Sequence, residues 1–320
     1  MVTESLANWA HGAQALALVN AAQQRGYTTY LAEARTPQEF EQFSGLPARV
    51  AGDVLAALVA HGVVERAGER FRLTDDMAGA LGGLVDFAAQ IEEAVLGARL
   101  VDSAVRTGEA PLTPADALVV AKANALRPSA PGAGGLVAKL FESTPEMWEA
   151  MTDGRLLDVG SGVSGFVLSA ATVLPRMRAT TIELVPSVAE VAAARAAELG
   201  VSDRIDVRVM DAREFDAPGE YDAVFWAQPF FPEPVRAATL AMIRRSLRPG
   251  GFLLVQQLDA VPDEVRPAFT LRQLVAGAQQ LAFARPLDDL VTEITAAGFE
   301  LVRSVVTDLG PVALLRRPPA

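Results

Sequence analysis

The pattern of hydrophobic and polar positions changes once along the chain. Up to about residue 106, apolar residues recur at helical spacing, as in Leu6, Trp9 and Ala13 of the opening segment. From Arg155 onward, short apolar runs alternate with helical stretches, which predicts a parallel sheet covered by helices. We therefore expect a mostly helical domain over 1–106, a Pro- and Gly-rich linker over 107–135, and an α/β domain over 136–320.

Local signals place three helices and a hairpin in the first region. Thr36–Glu39 supplies an N-cap, a first-turn proline and a capping-box glutamate. Pro47 opens the next helix, which Gly62 ends with a left-handed cap. Two short strands, Val63–Arg66 and Arg70–Thr74, then predict a hairpin. This order of helices followed by a β-wing resembles a winged helix.

The charge balance argues against nucleic acid as a partner. The net charge is −11, which repels a phosphate backbone unless one face is strongly basic. In a DNA-reading winged helix, the third helix carries basic side chains into the major groove, but here Arg49 is its only charged base. We expect no nucleic-acid binding, and a DNA-binding regulator is kept as a distant alternative.

Composition further limits the chemistry and the expected location. The 320 residues include 51% hydrophobic and 21% charged residues, which is a globular composition. Cysteine is absent and His11 and His61 are the two histidines, so we expect neither disulfides nor a metal site. The opening residues lack the apolar run of a signal peptide and no stretch suits a membrane span, so we expect a cytoplasmic protein without a membrane partner.

Strand candidates in the second region are short and evenly spaced. A turn of only four residues, Asp308–Pro311, separates the last two candidates, so they should pair as an antiparallel hairpin. The candidates are Leu156–Val159, Ala179–Glu183, Ile205–Met210, Ala223–Trp226, Phe252–Gln256, Phe299–Thr307 and Val312–Arg316.

A glycine-rich turn follows the first of these strands. In Gly160–Gly165, glycines remove side chains that would keep a ligand from the main chain at a helix N-terminus. This motif alone also fits a dinucleotide-dependent oxidoreductase or a tight βα turn. Glu183 ends the next strand, at the distance expected of a carboxylate that binds ribose hydroxyls. Asp211 ends the third strand and can either bind the adenine amine or cap the following helix.

These motifs together resemble the class I S-adenosylmethionine-dependent methyltransferases, in particular the small-molecule O-methyltransferase-like group with an N-terminal winged-helix domain. The resemblance rests on LLDVGSGVSG, IEL, MDARE, YDAVF and SLRPGG in that order, closed by a terminal hairpin. It implies a Rossmann-like seven-stranded sheet with an antiparallel last strand, S-adenosylmethionine as cofactor and a homodimer. An NAD(P)-dependent oxidoreductase explains the first two motifs, but neither the position of Asp211 nor the hairpin.

The resemblance also assigns cofactor-binding positions. It implies that Asp158 orients the turn, that the glycines pass close to the methionine part, that Glu183 holds the ribose, and that Asp211 borders the adenine. The full set implied for the cofactor is Asp158, Gly160, Ser161, Gly162, Glu183, Leu184, Asp211, Ala212 and Trp226.

The chain departs from this family where a general base is expected. The resembling O-methyltransferases have a His-Asp-Trp sequence after the fourth strand, whose histidine deprotonates the acceptor. Here that histidine coincides with Pro229, which cannot accept a proton. His11 and His61 are poor replacements, because neither follows a strand of the sheet. Asp259, after the fifth strand, is the best remaining catalytic candidate.

The remaining site expectations concern the acceptor. Methyl transfer is an in-line displacement, so alignment in a dry site can drive it without a base. We expect a small-molecule acceptor, with its O, C or N atom left open, or alternatively a cyclisation or rearrangement that does not transfer the methyl group. The residues expected to line its pocket are Trp148, Gln228, Phe230, Phe231 and Gln256.

Overall fold

The protein is described by a computed structural model covering residues 2–258 and 266–319, with side chains from residue 5 onward. Its contacts divide the chain into two compact units, Met1–Ala98 and Arg99–Ala320. The helix Phe87–Thr107 crosses the division between the units.

The first unit is mostly helical, as its sequence pattern predicts. The capping box at Thr36 forms as expected, because the Thr36 side chain accepts from the Glu39 N–H while the Glu39 carboxylate accepts from the Thr36 N–H. Gly62 adopts the left-handed conformation predicted for a helix end, with φ of 69°. The helices are α1 Val2–Gln24, α2 Tyr27–Tyr30, α3 Pro37–Ser44, α4 Ala48–Ala60, α5 Asp75–Leu81 and α6 Phe87–Thr107.

A β-hairpin follows α4, at the predicted place. Its strands, β1 Val64–Ala67 and β2 Arg70–Leu73, pair antiparallel. The core of the unit includes Phe40, Leu55 and Leu58, which are almost fully buried. Within 2–258 and 266–319, no single helix combines the length and apolar composition needed to span a membrane, and only the bent pair α3 and α4 meets that criterion jointly.

The segment predicted as a linker, 107–135, contains a helix. This helix, α7 Pro114–Ala123, begins with a second capping box, in which Thr113 caps the Asp116 N–H and Asp116 accepts from the Thr113 N–H. Pro114 occupies the first helical position, where no N–H is needed for a hydrogen bond within the helix, so it begins this helix instead of interrupting it. The linker assignment is therefore wrong over these residues.

The second unit alternates helices and strands, as predicted. Its helices continue with α8 Ala133–Ser143, α9 Pro145–Met151, α10 Gly165–Val173, α11 Pro186–Glu198, α12 Glu233–Ser246, α13 Pro267–Ala278 and α14 Leu287–Ala296. Its strands are β3 Arg155–Val159, β4 Arg178–Glu183, β5 Ile205–Val209, β6 Tyr221–Trp226, β7 Leu247–Gln256, β8 Glu300–Thr307 and β9 Gly310–Arg316.

Within the described residues, these seven strands form one sheet in the order β5-β4-β3-β6-β7-β9-β8. The first five pair in parallel, and β9 is antiparallel to both β7 and β8, which confirms the predicted terminal hairpin. Successive residues of β3, Leu156 and Leu157, enter different core clusters because side chains alternate across a sheet. Because β3, β4, β5 and β6 pair in parallel, their carboxyl ends lie along one edge of the sheet, where ligands bind in open α/β sheets.

Candidate functional site

The turn after β3 has the backbone geometry that its glycines permit. Gly160 and Gly162 have φ of 73° and 54°, in the left-handed region that side chains disfavour. Ser164 shares this conformation, with φ of 57°, and forms the N-cap of α10. At Gly160 and Gly162 the turn therefore presents main-chain atoms without side chains, at the end of the central strand.

The glycines of this turn also accommodate close neighbours. A Cβ placed on Gly160 would lie 2.5 Å from the ring of Phe231, and one on Gly165 would lie 2.5 Å from the Leu126 carbonyl oxygen. At Gly162 the neighbour would be the Ala121 Cβ, at 3.7 Å. Residues 121–126, predicted as part of a linker, thus pack directly against the turn.

Glu183 ends β4 beside the glycine turn, as predicted. Its Oε2 accepts from the Gly162 N–H at 3.0 Å, and its Oε1 accepts from the Val185 N–H at 2.9 Å. Burial raises the pKa of this carboxyl, against the N–H groups that lower it. Leu184, next to it, leaves 66% of its surface exposed. The carboxylate is tied to the turn and has acceptor capacity left for hydroxyl groups.

Asp158 lies inside the sheet beneath the turn. It is opposite Thr181 on β4 and Phe225 on β6, and its Oδ1 finds no hydrogen-bond partner among the described residues. Burial, and next the charge of Glu183, raise the pKa of Asp158 to about 8. At neutral pH this side chain is consequently a neutral acid.

Asp211 follows β5 and caps a 3₁₀ turn, Ala212–Glu214. Its carboxylate accepts from the Arg213 N–H at 2.8 Å and pairs with the Arg213 guanidinium at 2.6 Å. Hydrogen bonding to the Arg213 side chain is the main reason that the pKa of Asp211 is lowered. The capping role weighed from the sequence is present in the structure, and contact of Asp211 and Ala212 with adenine stays a prediction.

The end of β6 carries Trp226, which is expected to border the cofactor, and the residues after it are those expected at the acceptor side. Trp226 is fully buried, and Gln228 is only 3% exposed at the start of a 3₁₀ turn, Gln228–Phe230. Pro229 lies within this turn, and Phe230 is partly exposed. Phe231 follows, with its ring near Gly160. The glycine turn and the 228–231 segment are therefore adjacent.

An ion pair between the buried Arg236 and the partly exposed Glu293 supports this segment and was not predicted from the sequence. The Arg236 guanidinium donates to both Glu293 oxygens, at 2.8 and 2.6 Å, and its Nη1 donates to the Gln228 carbonyl at 2.7 Å. The same guanidinium lies 4.7 Å from the centre of the Trp226 ring. Arg236 and Glu293 are far apart along the chain, so no local pattern could indicate their pairing.

Other predicted acceptor residues have different surroundings. Trp148, expected to line the pocket, is partly buried and packs edge-on against Phe141 at the side of a core cluster. The Gln256 amide donates to the main-chain carbonyl of Leu309. Asp259, the catalytic candidate, lies outside the described residues, so its role stays a prediction.

The two histidines contact each other in the first unit. The Nε2 atoms of His11 and His61 are 3.2 Å apart, and both residues are exposed. The His61 Nδ1 lies 2.8 Å from the Ala57 carbonyl oxygen, near the end of α4. Neither residue belongs to the unit that carries the glycine turn. Among the described residues, no group of three or more His, Cys, Asp or Glu side chains could hold a metal ion.

Sequence comparisons identify the domain that carries this site. Residues 156–251 match a family described as a methyltransferase domain. The ubiquinone biosynthesis O-methyltransferase of Xanthomonas campestris pv. campestris (strain B100) is 32% identical over 139 residues, which cover 43% of this chain and 54% of that protein. Highly reducing polyketide synthase 2 of Gibberella zeae is 30% identical over 130 residues, 36% of this chain and 5% of the synthase. The chain thus spans about half the length of the first curated relatives that it matches.

Solved structures share the fold over nearly the whole chain. The mitomycin 7-O-methyltransferase MmcR has a TM-score of 0.74 at 20% identity, covering 99% of this chain and 98% of its own. Human N-acetylserotonin methyltransferase, solved with S-adenosylmethionine, has a TM-score of 0.74 at 16% identity, covering 100% and 98%. PigF, solved with S-adenosylhomocysteine, has a TM-score of 0.72 at 17% identity, covering 99% of each chain. At these identities the likeness establishes the fold, and it confirms the predicted seven-stranded architecture.

Proposed function

We propose that this chain is a class I S-adenosylmethionine-dependent methyltransferase that transfers a methyl group to a small molecule, a proposal that the matched methyltransferase domain and the fold support. One contact carries the proposal most directly: the Glu183 carboxylate accepts from the Gly162 N–H. It joins the two motifs that distinguish a nucleoside-binding edge from an ordinary βα turn. The names of the neighbours above, which include a mitomycin methyltransferase, favour a role in secondary metabolism.

The residues present fit the expected cofactor. Gly160 and Gly162 leave the main chain bare, Glu183 has acceptor capacity for a ribose hydroxyl pair, and Leu184 offers an exposed apolar surface beside it. The buried Ser161 Oγ is without a hydrogen-bond partner in the described structure and can donate to the bound group. When bound, S-adenosylmethionine supplies an electrophilic methyl group on a sulfonium.

The acceptor side supports alignment rather than proton abstraction. Pro229 stands where the resembling enzymes have a histidine, and the neighbouring Gln228 carries an amide, which cannot take up a proton. Phe230 and Phe231 add apolar surface that can exclude water. An acceptor suited to this site needs little help with its proton: an acidic hydroxyl or an enolisable carbon loses it readily, and an amine attacks in its neutral form and loses it after the transfer.

Cofactor binding tests the proposal first. The wild-type protein should bind S-adenosylhomocysteine in calorimetry, and Gly160→Val should weaken binding by about a hundredfold or more. A Cβ at this position meets the Phe231 ring and requires a positive φ, so the turn must rearrange. Gly219→Val is the matched control, because Gly219 has a similar φ of 70° but no atom within 4 Å of its would-be Cβ.

The outcomes of these measurements separate the alternatives. Micromolar binding retained by Gly160→Val, or equal loss in Gly219→Val, would contradict the site assignment. Methyl transfer itself is measured by mass spectrometry of candidate acceptors after incubation with S-adenosylmethionine. Tight cofactor binding without methylation of any acceptor would favour the cyclisation or rearrangement alternative.

A further inference from the structure

The Gln228 amide is half satisfied in the folded chain. Its Nε2 donates to the Gln256 carbonyl at 3.2 Å, whereas its Oε1 has no partner within 2–258 and 266–319. Reversing the amide would set its oxygen against the Gln256 carbonyl oxygen, so the acceptor atom is the one left over. Burying an acceptor without a donor is unfavourable, so a ligand that supplies the donor would be stabilised at this oxygen.

Gln228 directly follows a residue that contacts the strand end and the glycine turn. The N–H of Ala227, its neighbour, donates to the Val159 carbonyl at 3.0 Å, at the end of the central strand. A Cβ on Gly160 would lie 3.7 Å from the Ala227 Cβ. Gln228 is thus two residues beyond the end of β6, and its neighbour Ala227 contacts the proposed cofactor turn.

Arg236 fixes the main chain at this point. It is 1% exposed and binds the Gln228 carbonyl while Glu293 holds its guanidinium by two hydrogen bonds. Because Glu293 binds two N–H groups of the planar guanidinium, the further N–H group that donates to the Gln228 carbonyl is fixed in both position and direction. With its carbonyl held by Arg236 and its Nε2 by Gln256, Gln228 keeps one side-chain orientation.

We propose that Gln228 selects the methyl acceptor by accepting a hydrogen bond from an uncharged O–H or N–H group at its Oε1, and that Arg236 is the residue that positions it. This inference rests on the proposed function and specifies the acceptor class. An anionic acceptor would place its charge against the negative end of the amide dipole. Of the acceptors proposed above, an amine, an enol or an un-ionised hydroxyl therefore fits, and one that is already ionised in solution does not. The amide orients the proton of the acceptor but does not remove it. The bond from the acceptor atom to the methyl carbon forms as the sulfonium C–S bond breaks, and the proton then passes to solvent.

Two fluorinated fragments test this preference by ligand-observed ¹⁹F NMR. 4-Fluorophenol carries an O–H donor, and 4-fluoroanisole is the same ring without one. At about pH 6.5 the phenol is neutral, since phenols ionise near pH 10. Wild-type protein with saturating S-adenosylhomocysteine should bind the phenol about fivefold more tightly, the worth of one ordinary hydrogen bond.

Variants then assign the preference to Gln228. Gln228→Leu should bind both fragments equally, and Arg236→Lys, which keeps the charge but loses the fork, should reduce the preference at least twofold. Gln279→Leu is the control, because the Gln279 amide also donates to a main-chain carbonyl, that of Ala110. It should leave the preference unchanged.

The measurements test the role of Gln228, the role of Arg236 and the proposed function separately. Equal binding of the two fragments by the wild type, including no binding of either, overturns the selection by Gln228, as does an undiminished preference in Gln228→Leu. An undiminished preference in Arg236→Lys overturns its positioning role. If S-adenosylhomocysteine does not bind in calorimetry, the proposed function fails, while the fragment comparison on the unloaded protein still decides the role of Gln228.

Discussion

Asp158 should make the folded protein less stable as the pH rises through neutrality. Its pKa is about 8 in the fold and 3.8 for an ordinary aspartate. Between these values the folded state holds a proton that the unfolded state has released, so stability falls with increasing pH. Asp158→Asn keeps the shape and the neutral character of the protonated acid. The variant should therefore lose this pH dependence.

The size of the effect follows from the two pKa values. Each pH unit inside the window lowers the free energy of unfolding by about 1.4 kcal/mol. Between about pH 5.5 and about pH 7.5 the wild type should lose about 2 to 3 kcal/mol from this residue. Asp158→Asn should consequently gain stability relative to the wild type by that amount over the same interval.

Urea unfolding at both pH values, followed by circular dichroism, measures the difference directly. The change in free energy of unfolding between the two pH values is measured for each protein, and one change is subtracted from the other. This subtraction removes the contribution of all other groups that the two proteins share. Asp203→Asn is the control, because Asp203 is exposed before β5, and it should follow the wild type. The reasoning is refuted if Asp158→Asn and the wild type lose the same free energy between the two pH values.

The remaining predictions concern the ion pair, the histidines and assembly. Glu293→Gln should lower the free energy of unfolding by about 3 kcal/mol, because it leaves the buried Arg236 charge without its partner, and an unchanged urea midpoint would contradict this. Burial acts to raise the pKa of Glu293, but Arg236 and then other neighbours outweigh it, so the pKa of Glu293 is lowered. The stabilisation by Glu293 is therefore present at neutral pH and is lost on acidification through that lowered pKa. The Gln variant should not show this loss. His11→Ala and His61→Ala should keep turnover within about tenfold, since a general base is worth a hundredfold or more. We also expect a homodimer through α1 and 78–105, and light scattering that gives a monomer mass at micromolar concentration would exclude it.

Local signals in the sequence predicted much of the fold and the glycine turn of the candidate site. The capping box at Thr36, the cap at Gly62 and the glycine turn at Gly160 each depend on residues within a few positions of one another, so the sequence displays them. The capping box at Thr113 is the same kind of signal, with a proline at the same place. It was missed because prolines and glycines around it favoured a linker.

The acceptor side was less predictable because long-range packing determines it. Trp148 is an aromatic residue near the first strand of the sheet, and the sequence does not indicate its edge-on contact with Phe141. Arg236 looks like a surface residue of a polar helix until Glu293 is found opposite it. Whether an arginine or tryptophan is buried depends on its partner elements, and a single sequence does not name those partners.

The packing of residues 121–126 against the glycine turn affects where this protein can be divided. The matched methyltransferase domain begins at residue 156, after this segment. A fragment cut at that boundary would lose the backbone of Leu126 that lies against Gly165, together with the Ala121 methyl group beside Gly162. The boundary of sequence similarity is therefore not a boundary of folding, and a truncated form intended to keep the binding edge should retain the chain from residue 99.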